Sequence, residues 1–185
     1  MIAMANGSGS GGGGRGTAWR LIGWGGAAAL LCVPALAMRF APQAGFDWGK
    51  EDFIVAAVLF GMVGVGIELV VRASRSMPYR MGALAAILTA FLTVWVNLAV
   101  GMIGSEGNPY NLVFGGVILI ALAGAAVARF RAAGMAKAMA VAAAAQAAAA
   151  AAGMAVDLRG GLFSLVFAGF WLGSALLFRR AARQA

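Results

Sequence analysis

The chain has 185 residues, of which 63% are hydrophobic and only 11% charged, with a mean hydropathy of +0.90. That balance excludes an ordinary soluble globular domain. The net charge of +8 argues little for nucleic acid, because the basic residues sit at the ends of apolar runs and form no patch.

There is no histidine, which rules out His-ligated haem, His general bases and His metal sites within this chain. The single cysteine, Cys32, lies in an apolar run and has no internal disulfide partner.

Residues 1–17, with ANGSGSGGGGRG at 5–16, read as a flexible Gly-rich tail. Six apolar runs follow, at 19–38, 53–71, 81–103, 112–130, 138–156 and 162–178. At about 1.5 Å of rise per residue, each reaches or nearly reaches across a hydrocarbon core of about 30 Å. They neither alternate nor come in the short lengths of barrel strands. The expected fold is therefore all-α, a polytopic transmembrane helical bundle.

Arg15 and Arg20 before the first run give it some likeness to a secretory signal cleaved near Ala37. The long Gly-rich lead, the near-span length and the later spans favour a retained helix. The 39–52 connection, with Pro42, Gly45 and Trp48, reads as an outer surface loop with an interfacial anchor.

In the second run, Ala57, Gly61, Gly64 and Glu68 share one face, a packing seam of small residues that ends in a carboxylate. Glu68 precedes Arg72 by four residues, the favourable order for a helical ion pair. The competing reading is a proton- or substrate-linked intramembrane acid.

In the third run, Thr89, Thr93 and Asn97 recur every four residues. Both threonines can bond their own helix carbonyls, whereas the Asn97 amide calls for a partner from another helix or a ligand. The turn 104-GSEGNPYN-111 has a structural account: Asn108 caps the next helix, Pro109 sits in its first turn and Tyr110 anchors at the headgroups. A weaker reading has Asn97, Glu106, Asn108 and Asn111 facing a ligand or cation at the outer mouth.

Gly116 and Gly124 mark a possible seam in the fourth run. The fifth, with 141-VAAAAQAAAAAAGMA-155, suits close backbone approach and a central position; the alternative is a soluble Ala-rich helix. Gln146 at its middle reads as glue between helices or protomers, or as lining for a polar cavity. Gly169 and Gly173 form a further seam in the sixth run. A lipophilic quinone or pigment held by packing stays open there, covered by Phe163, Phe167, Phe170 and Trp171; otherwise no cofactor is expected.

Charge fixes an expected orientation. Arg15, Arg20, Arg72, Arg75, Arg80, Arg129, Arg131, Lys137, Arg179, Arg180 and Arg183 fall on one side. The acids Asp47, Glu51, Asp52, Glu106 and Asp157 fall on the other, with Arg39, Lys50 and Arg159. Six spans arranged as three antiparallel hairpins, with both termini and the basic tail 180–185 in the cytoplasm, satisfy the positive-inside rule.

The segment 95-WVNLAVGMIGSEGNPYN-111 resembles a signature of small uncharacterised bacterial multi-pass membrane proteins: an aromatic, one residue, Asn-Leu-Ala-Val-Gly, Ile-Gly, an acidic turn and Asn-Pro. The stretch 68-ELVVRASRSMPYR-80 is similar to it too, and the likeness covers about 40–110. Gly107 departs from it where an acidic residue is expected, which weakens a cation role for the turn. The resemblance implies a bacterial cytoplasmic (inner) membrane protein and brings no chemistry.

The functional expectation is a non-catalytic accessory or scaffold subunit acting through helix packing. Its partners are the lipid bilayer and other membrane subunits or further copies, with no nucleic acid. The alternative is a small transporter or channel using Glu68, Asn97 and Gln146. Without histidine, and without paired intramembrane carboxylates, an enzyme is not expected.

Overall fold

The computed structural model describes residues 13–41, 43 and 47–184, with side chains from residue 21 onward, residue 22 excepted. Residues 1–12, Pro42 and Gly45, and the side chains of Arg15, Trp19 and Arg20, lie outside that description.

Among the described residues the chain is all-helical, without a strand. The helices are α1 (Gly13–Phe40), α2 (Lys50–Ala73), α3 (Met77–Ala99), α4 (Leu112–Val127), α5 (Ala132–Gly153) and α6 (Leu158–Ala182), with a 3-10 turn, Pro109–Asn111, leading into α4. Among the described residues six helices are long and apolar enough to cross a membrane, α4 being counted with that turn.

α1, α2 and α6 outrun at both ends the apolar stretches that announced them, whereas α4 and α5 stop three residues short of the expected 130 and 156. Helical hydrogen bonding does not stop where hydrophobicity does. Glu51 and Asp52 form the first turn of α2, where acids offset the positive helix end. Arg179 and Arg180 lie in the last turn of α6, where cations are favoured. α1 begins at Gly13, inside the stretch expected to be a tail. The third run also stops short. It was expected to span 81–103, but α3 ends at Ala99. The Val96 carbonyl accepts from both Val100 and Gly101 N–H at 3.0 Å, and Gly101 turns out of the helix with φ 75°. Only glycine adopts that conformation at little cost, and the Ser105 backbone leaves no room there for a Cβ.

The chain forms two compact units, Met1–Gly64 and Val65–Ala185. In the first, α1 carries Pro34 in its interior, which removes one backbone donor. Gly64 takes the Trp24 indole on its face, whereas Gly61 faces open space. The small-residue seam expected on α2 is thus filled at one of its two glycines.

In the second unit, α5 is the most buried of its helices, which fits its expected central position. It packs on α6 and α4, and α6 also packs on α3. Small residues permit the approach. A Cβ on Gly161 of α6 would lie 2.9 Å from the Ala150 carbonyl oxygen, and one on Gly124 of α4 would lie 2.7 Å from Ala138 Cβ. Gly116, Gly169 and Gly173, expected as seams, meet nothing within 4 Å inside the chain.

Polar side chains pin these helices together. Ser174 Oγ donates to the Gly82 carbonyl at 2.7 Å, tying α6 to α3. Arg80 donates to the carbonyls of Ser74 (2.6 Å) and Val71 (2.9 Å), closing the C-terminus of α2. Between α4 and α5, Arg131 N–H bonds the Ala128 carbonyl at 3.0 Å around Arg129 (φ 48°) and Phe130 (φ 56°). Two left-handed central residues make this a type I′ turn, at about 1–2 kcal/mol for each residue that is not glycine. Tyr79 Oη, donating to the Phe130 carbonyl at 2.8 Å, helps to hold it.

Candidate functional site

Most of the polar residues singled out in the sequence lie at or near the segment 100–111. Its apolar residues go inward: Met102 is 2% and Ile103 0% exposed, and they pack with Phe114, Ala149 and Phe167. A buried irregular segment has backbone groups that helix geometry cannot satisfy. Asn111 satisfies them. Its Oδ1 accepts from Met102 N–H (3.1 Å) and Ile103 N–H (2.9 Å), and its Nδ2 donates to the carbonyls of Ile103 (3.3 Å) and Ser105 (2.7 Å).

Asn108 does two local tasks. Its Oδ1 accepts from Tyr110 N–H at 3.0 Å, capping the 3-10 turn, and its Nδ2 donates to the Ile103 carbonyl at 3.1 Å. Tyr110, expected at the headgroups, donates from Oη to the Ala149 carbonyl of α5 at 2.7 Å. Glu106 is exposed at the tip. The four residues expected at an outer mouth are therefore not convergent ligands: Asn108 and Asn111 face the segment's own backbone.

Asp157, read from the sequence only as an outer acid that could pair with Glu106, completes the arrangement by bonding backbone instead. Asp157 caps α6, accepting from Arg159 N–H at 3.0 Å, and its other oxygen accepts from Gly104 N–H at 3.1 Å. The N–H groups of Gly160, Gly104 and Arg159, with the Arg159 charge, hold its carboxyl below the usual range. Aspartate just before an apolar run is a readable helix-start signal; the tie to Gly104 has no local signature.

Gln146 lies directly behind this segment and is 0% exposed. Its Nε2 donates to Ser164 Oγ (2.9 Å) and to the Ser164 carbonyl (3.4 Å) on α6, and lies 3.8 Å from Met102 Sδ. Gln146 is thus the cross-helix link that its position suggested, made within one chain. Its Oε1 has no partner among the described residues.

On α3 the expected face is a ladder. Thr89 donates to the Ala85 carbonyl and Thr93 to the Thr89 carbonyl, both at 2.7 Å; Asn97 Nδ2 donates to the Thr93 carbonyl at 2.6 Å. Thr93 is 0% exposed. Asn97 therefore turns to its own helix, and its buried Oδ1 has no partner among the described residues. Two amide oxygens, on α3 and α5, can each accept a hydrogen bond from a guest, and an unmade bond at such a buried atom costs about 1–3 kcal/mol.

Glu68 accepts from Arg72 at 2.7 Å, the local pair that the i, i+4 spacing predicts. The aromatic stripe of α6 divides. Phe167 and Trp171 are buried in the core, while Phe163 and Phe170 are about half exposed. Trp171 Nε1 has no partner among the described residues. No three His, Cys, Asp or Glu side chains among the described residues come together as a metal site.

Compared with known proteins, the chain matches no family model, no curated protein and no solved structure.

Proposed function

We propose that the protein is a multi-pass subunit of a bacterial cytoplasmic membrane, acting as an accessory or scaffold component through helix packing. The observation that carries this reading is where the polar side chains go. Thr89, Thr93 and Asn97 bond their own helix, Gln146 bonds Ser164, and Asn108 and Asn111 bond one segment of backbone. Little polar surface remains for chemistry. Meanwhile Gly169 and Gly173, one turn apart on α6, meet nothing within 4 Å. Such a pair lets a second helix come close in lipid.

Three antiparallel hairpins with both termini cytoplasmic are part of this reading. Gly124 beside Ala138 and Tyr110 bonded to Ala149 support opposed α4 and α5. The test is extraction in a mild detergent with sizing of the native particle. A stoichiometric complex that falls apart in the Gly169→Leu/Gly173→Leu variant is expected. A monomer whose deletion leaves every membrane complex intact refutes the proposal.

One observation favours a second reading, a small transporter: the unpartnered acceptors Asn97 Oδ1 and Gln146 Oε1 would suit a hydrogen-bond-donating solute. Solute flux into liposomes should then fall in the Glu68→Gln/Asn97→Ala/Gln146→Ala variant, and unchanged flux removes this reading.

A further inference from the structure

The second unit brings the arginines of its α4–α5 turn and of the end of α6 together at one end. The Tyr79 ring joins two separate stretches there: its hydroxyl bonds the Phe130 carbonyl, and the ring meets that of Phe178, the residue before Arg179, in a T-shaped pair with centroids 5.1 Å apart. Ala128, Ala132 and Ala181 pack into the same core cluster. The α4–α5 turn and the last turns of α6 therefore lie side by side. Arg129, Arg131, Arg179, Arg180 and Arg183 are all exposed. The carboxylates of this unit are engaged or placed elsewhere. Glu68 pairs with Arg72, Asp157 is tied to Gly104, and Glu106 is in that same segment.

Between the two arginines of the turn stands Phe130, 62% exposed. Both Arg129 and Phe130 hold left-handed backbone conformations that glycine would adopt more easily. The result is an exposed aromatic residue between two exposed arginines in the sequence, in a turn at one end of the unit. Guanidinium groups bind phosphate oxygens in pairs, and the ring suits the boundary between headgroups and acyl chains.

We propose that the Arg129–Phe130–Arg131 turn, with the arginines at the end of α6, is a binding site for an anionic phospholipid headgroup of the surrounding bilayer. The site takes a phosphodiester that is attached to acyl chains; free phosphate has no use for Phe130. This holds whether the protein is an accessory subunit or a transporter.

The full chain in maltoside micelles is titrated with pyrene-labelled phosphatidylglycerol and, separately, with labelled phosphatidylcholine. Phosphatidylglycerol should bind about tenfold or more tightly, and Arg129→Gln/Arg131→Gln should remove most of that preference. Phe130→Gly should lower affinity while the thermal midpoint stays level or rises, because glycine relieves the left-handed backbone. Arg159→Gln, at the other end of α6, should leave binding unchanged. The proposal is overturned by equal affinity for the two lipids, or by unchanged binding in the double variant or in Phe130→Gly. It is overturned equally by displacement with inorganic phosphate, or by an Arg159→Gln loss matching that of the double variant.

Discussion

Asn111 is the residue on which the irregular segment depends, because its one amide satisfies two backbone donors and two acceptors. Leucine there fills similar volume and answers none of them. With each buried group left unpaired costing about 1–3 kcal/mol, Asn111→Leu should destabilise the protein by about 3 kcal/mol or more. Glu106→Gln at the exposed tip should change stability by less than about 0.5 kcal/mol. Thermal unfolding in detergent measures both; equal midpoints would mean that the clamp carries no load. Asp157 gives a pH signature. Its folded-state carboxyl titrates below the ordinary value of about 3.9, so the charged form stabilises the fold. That contribution is fully present above about pH 4 and is lost as pH falls through the lowered folded value. The midpoint of the native protein should therefore drop more steeply on acidification than that of Asp157→Asn; parallel curves would show that the tie to Gly104 contributes nothing. At this scale the sequence was partly legible. Glu68–Arg72 and the two threonines follow from spacing alone, because their partners are local. The Gly104–Asp157 and Ser174–Gly82 bonds join residues far apart in the chain, and no local pattern encodes them.

At the scale of the element, apolarity located the helices but neither their ends nor their buried faces: Leu98 and Val100 are exposed in the same run that buries Met102 and Ile103. Met102 and Ile103 were expected inside a span because they are hydrophobic, and they are buried, but in a segment turned out of α3 by Gly101. A glycine that ends a helix and one that lets two helices touch look alike in a hydrophobic run. The packing glycines separate only when their neighbours are known. Gly124 has Ala138 against it, while Gly116, two turns earlier on α4, faces open space. Gly124→Val should thus cost about 1–3 kcal/mol through overpacking against α5. Gly116→Val should stay within about 0.5 kcal/mol, since nothing within the chain resists it. The same unfolding assay decides, and a loss at Gly116 as large as that at Gly124 would reveal a partner helix on that face of α4. The Ala-rich α5 was legible for the same physical reason. A helix with almost no side chains is poorly suited to lipid and well suited to close neighbours, and α5 is the most buried helix of the second unit.

For the whole molecule, the decisive quantity is the side of the membrane on which each connection lies. Within the second unit, the Tyr79 contacts put the arginine-bearing α4–α5 turn beside the end of α6, and the Gly104–Asp157 bond puts the two acidic connections together. In this unit, then, connections grouped by charge also neighbour one another in space, and a charge-sorting membrane acts on both members of each pair at once. The proposed orientation, with Lys and Arg retained on the cytoplasmic side, would put Arg75, Arg129 and the chain beyond Arg179 there and Glu106 outside. Single-cysteine variants test this in a Cys32→Ser background, since Cys32 is a free, exposed thiol. A membrane-impermeant maleimide added to intact cells should label Glu106→Cys, and should label Arg75→Cys and Gln184→Cys only after the membrane is opened. Labelling of Gln184→Cys in intact cells would mean an odd number of crossings between that position and Arg75. In that case the spatial pairing of the basic ends reflects packing alone, and the headgroup site at Phe130 would have to be sought in the other leaflet.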